Sequence, residues 1–136
     1  MQWKLHHVGI IVPFIEMADR FVEFFDAERL WQGDAPKYEA ECVFVRFAGI
    51  RIEFIVPYGD RLKKFNRGRG GIHHLAVEAE GPVDEATEQL IRDKAAIMLE
   101  DKATAGASLM VNFIQPICTG GVLIEIVEPK GVASEL

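Results

Sequence analysis

The sequence predicts an α+β fold made of two β-α-β-β-β modules, one over about residues 1–60 and the other over about residues 70–130. An internal repeat is the first reason. Residues 5–12 and 72–79 both open with an apolar residue and two adjacent histidines, and both continue as a strand-like stretch. The second reason is that each copy is followed by a segment with helical spacing and then by further strand-like segments. A chain of 136 residues suits one domain, so we expect both modules to share one domain over residues 1–136.

The first module continues from its opening strand into a helix that we expect over residues 14–30. Apolar side chains recur there at steps of three and four, the spacing of one helical face: Met17, Phe21, Phe24 and Phe25. A short strand is expected between residues 30 and 37. Residues 42–47 and 50–56 alternate as strands, and the Ala-Gly pair between them suits a tight turn.

The second module repeats this order. Its helix should begin near Pro82, because proline suits the first turn of a helix. The apolar stripe of this helix is short: Ala86, Leu90 and Ile91. Strands are expected at residues 96–99, 109–115 and 122–127, with a Thr-Gly-Gly turn at residues 119–121 before the last one.

Composition and charge disfavour several classes of protein. The net charge is −6, whereas broad nucleic-acid binding requires a basic face. No apolar run approaches the roughly 20 residues that span a bilayer. Residues 1–7 lack the layout of a signal peptide, so we expect a cytoplasmic protein with no membrane partner. Cys42 and Cys118 lie far apart in the sequence, which disfavours a redox pair or a thiolate metal site.

Four of the predicted strands place an ionisable side chain on the face that points away from the helices: His7, Glu53, His74 and Glu125. A carboxylate in a half-apolar strand is costly unless it is solvated or paired. Each of the four, taken alone, is more often a structural or solvent-facing residue. At matched places in two modules, however, two imidazoles and two carboxylates can share one divalent cation, such as Zn²⁺, Co²⁺, Ni²⁺, Mn²⁺ or Fe²⁺. The same alternation places His6 and His73 on the opposite face, and we expect these two histidines to support the metal ligands or to be partly buried.

Four segments of the chain also match a known pattern. They are HVGIIVP at residues 7–13, IEFIVP at residues 52–57, GIHHLAVE at residues 71–78, and a closing hairpin at residues 113–125 that contains FIQP and GGVLIE. In these segments the chain resembles the vicinal oxygen chelate (glyoxalase/bleomycin resistance) superfamily, and within it the methylmalonyl-CoA epimerases most closely. The resemblance covers almost the whole chain.

The resemblance implies that the two modules form a U-shaped mixed sheet around a metal cleft, with His7, Glu53, His74 and Glu125 as ligands. It implies a metal-dependent epimerase or isomerase that removes the α-proton of a chelated acyl thioester such as methylmalonyl-CoA. Glu125 is then the expected base. The resemblance also implies a homodimer, because members of the family often form dimers.

An epimerase that works with two bases needs a second group besides Glu125. Glu41 is a candidate because it lies near the start of the third strand. In some family members a carboxylate occupies the position of Cys42, so the cysteine is a departure from the pattern. Residues 61–69 are another departure, with five basic residues in nine. This basic run is either a solvated helix end before a glycine linker or a site for the phosphates of a CoA-type substrate.

Three other kinds of protein share parts of this pattern. A glyoxalase-I-like lactoylglutathione lyase would share the four ligands but would act on a hemithioacetal. A ring-cleaving dioxygenase would use two histidines and one glutamate on Fe²⁺, and Glu53 as a fourth ligand speaks against it. A small-molecule binding or resistance protein would use the same cleft without a metal, and such proteins generally lack the ligand set.

Overall fold

A computed structural model of the chain describes residues 2–129. Its eight strands are β1 (Lys4–Ile11), β2 (Glu28–Ala35), β3 (Ala40–Phe47), β4 (Ile50–Pro57), β5 (Gly71–Glu78), β6 (Thr104–Ala105), β7 (Leu109–Ile114) and β8 (Ile124–Pro129). Its three α-helices are α1 (Ile15–Phe25), α2 (Asp60–Lys63) and α3 (Val83–Lys94). Short 3₁₀ turns are also present: Pro36–Tyr38, Phe65–Gly68 and Pro116–Cys118.

The strands form one mixed sheet in the order β2-β3-β4-β1-β5-β8-β7-β6. The first half of the chain supplies one side of the sheet and the second half supplies the other. The halves join where β1 and β5 pair antiparallel at the centre. Each central strand pairs in parallel with one neighbour, β1 with β4 and β5 with β8, and the outer pairs are antiparallel. The predicted α+β class with a curled mixed sheet is therefore confirmed.

The first helix ends earlier than the sequence predicts. The helix expected over residues 14–30 stops at Phe25, because Asp26 adopts a left-handed conformation (φ 50°). The backbone N–H of Asp26 donates a hydrogen bond to the Val22 carbonyl, which closes the helix. The chain then extends as β2, so the strand expected between residues 30 and 37 is present and begins two residues earlier.

One face of α1 packs on β3 and β4. Ala18 is fully buried there beside Val43, and the ring of Phe21 lies 5.2 Å from that of Phe54. The predicted apolar stripe of this helix is only partly used, because three of its members are exposed on α1: Met17, Phe24 and Phe25. The Ala-Gly turn expected between β3 and β4 is present, with positive φ at Ala48 and Gly49.

In the second half, α3 begins directly after Pro82, close to the predicted start. Val83 and Ala86 are buried against β7 and β8, where they contact Ile114 and Ile126. The predicted stripe is wrong at one position and incomplete at another. Ile91 is exposed, while Val83 at the start of the helix supplies the buried contact instead.

The strand predicted at residues 96–99 is wrong. Ala95 takes a left-handed conformation that ends α3, and the following segment makes only one isolated bridge, from Met98 to Ile114. The two-residue β6 forms the edge of the described sheet instead. The last strand begins at Ile124, two residues later than predicted, whereas the turn expected at residues 119–121 is present, with positive φ at Gly120 and Gly121.

The face of the sheet opposite α1 and α3 carries a second apolar cluster, which surrounds the candidate site. Phe44 of β3 and Phe113 of β7 belong to it, as do Ile55, Ala76 and Val127. Within residues 2–129, no helix is long and apolar enough to cross a lipid bilayer. Met1 and residues 130–136, which the predicted single domain includes, lie outside the described part of the chain.

Candidate metal centre

The central seam of the sheet brings the two candidate histidines face to face. Because β1 and β5 are antiparallel, His7 lies opposite Ala76 and His74 lies opposite Gly9. Each histidine thus stands across from a small residue of the other strand. This pairing leaves room for both imidazole rings on the same face of the sheet.

The neighbouring parallel strands bring the two glutamates to the same place. Gly9 pairs with Glu53 of β4, and Ala76 pairs with Glu125 of β8. The side chains next to each glutamate in its strand pack towards the helices, so the alternation of the strand turns the glutamate to the other face. The four side chains that the sequence analysis singled out therefore meet on one face of the sheet.

The ligand-type atoms of the four side chains converge within 4.8 Å of one another. The Nε2 atoms of His7 and His74 lie 3.1 Å apart. Oε1 of Glu53 lies 3.2 Å from His7 Nε2 and 3.4 Å from His74 Nε2. Oε1 of Glu125 lies 3.1 Å and 3.3 Å from the same two nitrogens. Both histidines therefore point Nε2, and not Nδ1, into the centre of the cluster.

Burial and mutual contacts have opposite effects on the pKa values of the four side chains in this cluster. The four side chains are 1–6% exposed. Burial alone would raise the pKa of Glu53 and of Glu125, but the close contacts and charges of the two histidines outweigh it and lower both. Burial also opposes the charged form of each histidine. Contacts with the two carboxylates outweigh that effect, so that the pKa of His7 is raised and the pKa of His74 is raised to about 10.

The donor set fits a divalent cation. Oε1 of Glu125 is buried and has no hydrogen-bond partner within the described residues, although imidazole nitrogens surround it. Such a buried, unsatisfied carboxylate oxygen is costly unless a cation or a proton compensates it. Neighbouring ligands at ~2.0–2.2 Å from one ion would lie about 3 Å from each other, which is the spacing found here. Two imidazoles and two carboxylates are donors that Zn²⁺, Co²⁺, Ni²⁺, Mn²⁺ and Fe²⁺ accept.

A glycine on β1 provides the space that the His74 ring occupies. A Cβ atom added to Gly9 would lie 2.2 Å from Cε1 of His74 and 2.5 Å from its Nδ1. These are distances at which one of the two groups must move. Gly9 is therefore required for the ring position and not for its backbone conformation. From the sequence alone, Gly9 is distinguished only as the small residue two positions after His7.

Two histidines lie elsewhere than the sequence predicts. The pairing of β1 with β5 shifts register between Leu5 and His7, and again at the point of β5 that carries His73. These β-bulges break the alternation of the strands, so His6 and His73 do not lie on the far face. The Nδ1 atoms of His6 and His7 lie 2.7 Å apart, and those of His73 and His74 lie 2.9 Å apart. Burial and the nearby charge of His74 lower the pKa of His73 to about 4.

A cavity of about 370 Å³ opens beside the cluster. Three of the four clustered residues line it, namely Glu53, His74 and Glu125, and His73 lines it as well. Much of the remaining lining is apolar: Ala35, Ala40, Ile55, Leu62, Phe65, Leu99, Ala107, Phe113 and Leu123. The volume and the apolar character are those of a site for a small organic ligand.

The structure places Glu41, the candidate for a second base, outside the cavity, and places its neighbour Cys42 in the cavity wall. Glu41 does not line the cavity, and its carboxylate accepts a hydrogen bond of 2.6 Å from the Gln32 amide. Cys42, the next residue, is buried in the cavity wall beside Glu53. Burial, followed by the charge of Glu53, raises the pKa of the Cys42 thiol, so the thiol is protonated at neutral pH. Glu41 is therefore not placed to act as the second base.

Sequence reasoning missed Tyr38, which lines the cavity. Its hydroxyl lies 3.0 Å from Oγ1 of Thr104, so this contact joins the two halves of the chain at the cavity wall. Burial raises the pKa of Tyr38. Tyr38 ends a 3₁₀ turn that starts at Pro36, and no periodic pattern in the sequence marks it as a cavity residue.

The basic run at residues 61–69 is divided between solvent and the cavity. It forms most of α2 and the following 3₁₀ turn, and all of its basic side chains are exposed. Arg61 and Lys64 nevertheless contribute to the cavity wall, whereas Lys63, Arg67 and Arg69 do not. Part of the run is thus a solvated helix end, as one interpretation predicted, and part of it faces the space beside the cluster.

Comparisons with known proteins agree with this fold. The family model described as glyoxalase/bleomycin resistance protein/dioxygenase superfamily matches residues 6–113. The mitochondrial methylmalonyl-CoA epimerase of Bos taurus is 30% identical over 130 residues, which cover 90% of this chain and 73% of that protein. A hypothetical protein of Bacillus halodurans C-125 has a similar solved structure, with a TM-score of 0.82 and 26% identity over 96% of this chain and 97% of that one.

A second solved structure, the methylmalonyl-CoA epimerase of Mycobacterium tuberculosis, shares the fold. Its TM-score is 0.80, with 23% identity over 97% of this chain and 91% of that one. The family model covers most of the chain. The two solved structures share the fold of this chain, which is built on one eight-stranded sheet. The chain belongs to the glyoxalase/bleomycin resistance protein/dioxygenase superfamily.

Proposed function

We propose that this protein is a divalent-metal-dependent epimerase or isomerase that acts on an acyl thioester such as methylmalonyl-CoA. His7, Glu53, His74 and Glu125 would hold the ion. The observation that carries the proposal is the convergence of these four buried side chains within 4.8 Å, next to a cavity that opens at one side of the cluster. The name of the bovine relative supports the choice of substrate.

When bound, the ion supplies positive charge that makes the α-proton of a chelated substrate more acidic. Glu125 is the proposed base, because its carboxylate lines the cavity and its Oε1 has no hydrogen bond within the described residues. A general base contributes typically 10²–10⁴-fold to the rate. The apolar cavity wall keeps water away from the carboxylate, which strengthens its electrostatic interactions with a substrate.

Two basic side chains of the cavity wall suit the phosphates of a CoA-type substrate. Arg61 and Lys64 both line the cavity, and an arginine can bind a phosphate through two parallel hydrogen bonds. Changing both to alanine should raise KM for a CoA thioester about tenfold with little change in kcat. The phosphates lie away from the reacting carbon, so contacts with them stabilise the bound substrate and the transition state equally. Arg67 and Arg69, changed to alanine together, are the matched control, since they belong to the same run but do not line the cavity.

A glyoxalase-I-like lyase is the second candidate, and one observation favours it. Glu53 and Glu125 are the only carboxylates among the described residues that line the cavity, and both belong to the ligand set. An enzyme with two bases would need a further group on the opposite side of the substrate, and the Cys42 thiol in the cavity wall is protonated at neutral pH. A reaction in which one carboxylate moves the proton fits this cavity without a further base.

Metal analysis and two activity assays test the proposal. The purified protein should contain about one divalent ion per chain, and His74→Ala should lose it, because one of four ligands is removed. Exchange of the α-proton of methylmalonyl-CoA with solvent deuterium, followed by NMR, reports epimerase chemistry. Isomerisation of the hemithioacetal of methylglyoxal and glutathione reports the lyase.

The outcomes separate the candidates. Deuterium exchange with methylmalonyl-CoA and no turnover of the hemithioacetal supports the epimerase, and the reverse result replaces it with the lyase. A protein that takes up no divalent ion from a metal-saturated buffer contradicts both and leaves a metal-free binding protein of the same fold. The homodimer and the cytoplasmic location remain predictions, and light scattering tests the first.

A further inference from the structure

Each candidate metal-binding histidine has a second histidine at its other ring nitrogen. His6 precedes His7 and His73 precedes His74, and in both pairs the two Nδ1 atoms lie within hydrogen-bond distance, at 2.7 Å and 2.9 Å. Adjacent residues of a regular strand point to opposite faces and could not make this contact. The register shifts between β1 and β5 fall at these pairs, and a bulge of this kind re-aims the side chain of the extra residue. The arrangement thus occurs twice, once in each half.

The proton positions in each pair follow from the direction of the ring. His7 and His74 point Nε2 into the cluster, so Nε2 must be unprotonated when it binds an ion. A neutral imidazole then carries its one hydrogen on Nδ1. That hydrogen points at the Nδ1 of the neighbouring histidine, which must be unprotonated and accept the hydrogen bond with its lone pair. His6 and His73 must therefore carry their own hydrogens on Nε2.

We propose that His6 and His73 are positioning residues, which accept the Nδ1–H of His7 and His74 and so fix the tautomer and ring orientation of the two metal ligands. This inference rests on the metal site of the proposed function, but not on the identity of the substrate. Groups that hold the second nitrogen of a metal-bound histidine commonly contribute 10–100-fold to metal affinity. In many metal sites that group is a carboxylate, a backbone carbonyl or water, whereas here it is an imidazole in both halves.

The charge of the buried cluster gives a reason for the imidazoles. Glu53 and Glu125 together carry two negative charges, which balance one divalent ion when both histidine ligands are neutral. A carboxylate at the place of His6 would add an uncompensated charge to a side chain that is only 2% exposed, which is costly. A neutral imidazole accepts the hydrogen without adding charge.

The two pairs differ in how safely they can be changed. His6 is buried beside Phe44, with ring centroids 6.4 Å apart, so a change there also disturbs the core. His73 is only partly buried, lines the cavity, and contacts the ring of Phe65 at 5.1 Å. His73 is therefore the better position for a test.

The test compares His73→Phe with His73→Asn. Phenylalanine keeps the ring and removes the acceptor, whereas the Asn side-chain oxygen can take the place of Nδ1. Zn²⁺ affinity is measured by competition with a chromophoric chelator. We expect His73→Phe to weaken Zn²⁺ binding about 10–100-fold and His73→Asn to stay close to the parent. Ile72→Phe is the matched control, because this neighbouring side chain is 68% exposed and lies outside the cavity.

A second measurement reads the proposed protons directly and does not depend on any substitution. In the Zn²⁺-loaded parent, ¹⁵N NMR of the four imidazoles should show hydrogens on Nδ1 of His7 and His74 and on Nε2 of His6 and His73. A hydrogen on Nδ1 of His6 or His73 would overturn the proposal.

The same reasoning applies to the other pair. His6→Asn, checked for folding by its melting temperature, should bind Zn²⁺ as the parent does, because the amide oxygen can accept the same hydrogen.

Failure of this inference differs from failure of the proposed function. If the parent binds Zn²⁺ tightly and His73→Phe binds it equally well, the positioning role is wrong and the metal site stands. If the parent binds no divalent ion at all, both fall together. If the parent binds the ion but turns over neither thioester nor hemithioacetal, the proposed reaction fails while the affinity and NMR results still decide the roles of His6 and His73.

Discussion

The two halves of the chain place equivalent residues around the cluster: His7, Phe44 and Glu53 in the first half, and His74, Phe113 and Glu125 in the second. In each half the phenylalanine pairs with the glutamate across an antiparallel ladder. In each half the phenylalanine ring also meets the histidine ring edge-on, at centroid distances of 5.0 Å and 5.6 Å. The same geometry is thus built twice around one centre.

Elsewhere the halves differ. Gly9 in the first half corresponds to Ala76 in the second, since each pairs with the glutamate of its own half. Cys42 corresponds to Val111, because each lies two residues before the phenylalanine of its strand. The outer strand also differs, with eight residues in β2 and two in β6. The positions that converge on the centre are alike, whereas those that shape the space beside it are not.

The largest expected effect comes from breaking the equivalence of the two glutamates. Glu125→Gln should lower kcat by about 10²–10⁴-fold, because the proposed base is removed. Glu53→Gln changes the matched position of the other half, and its kcat should fall much less at saturating metal. Steady-state kinetics with a metal titration for each variant measures this. Equal losses of kcat would show that Glu125 has no special role.

The next effect tests the small residue of each half. Gly9→Ala places a Cβ within 2.2 Å of the His74 ring, so the ring must shift, and Zn²⁺ affinity should fall about tenfold to a hundredfold. Crowding of this kind also lowers the free energy of unfolding by about 1–3 kcal/mol. Ala76→Gly is the reciprocal change and should mainly lower stability, by about 0.5–1 kcal/mol. Chelator competition and denaturant unfolding measure the two. An unchanged Zn²⁺ affinity in Gly9→Ala would contradict the requirement for space at Gly9 beside the His74 ring.

The pH dependence of metal binding tests whether the two imidazoles act as one pair. In the metal-free protein the pKa of His74 is raised to about 10 and that of His7 is also raised. Their Nε2 atoms are only 3.1 Å apart, which disfavours two protons at once. An ion must then displace about one proton, and its affinity should rise about tenfold per pH unit between about pH 6 and about pH 9. Calorimetry in buffers of different ionisation enthalpy counts the protons. A flat profile would contradict a shared proton.

The smallest effect is expected where the first half is made to resemble the second. Cys42→Val introduces the residue found at the matched position, Val111, and is close to it in volume. The free energy of unfolding should change by less than about 1.5 kcal/mol, and metal affinity should not change. Denaturant unfolding and chelator competition measure both. A loss of turnover beyond tenfold at full metal occupancy would instead assign the Cys42 thiol a part in the reaction.

The alternation of apolar and polar residues was sufficient to predict that four side chains from separate strands share one face of the sheet, and the structure brings these side chains together. The alternation failed at His6 and His73, because a bulge adds one residue to a strand and no local pattern marks where it falls. The strand expected at residues 96–99 is absent, although its residues are apolar. After the left-handed Ala95, this segment makes only one bridge to β7. Tyr38 could not be predicted, because its place in the cavity depends on how a turn of one half meets the other.

The position of the proposed metal site, at the seam between β1 and β5, also links the stability of the protein to its metal supply. An ion held by residues from both halves is bound only while the halves are docked, so unfolding releases it. At a free metal concentration 100 times Kd, such an ion adds about 2.7 kcal/mol to the free energy of unfolding. With the proposed ion bound at this seam, the folded population would rise and fall with the supply of that ion. Scarcity of the metal would deplete the protein itself, through proteolysis of opened chains, as well as emptying the site.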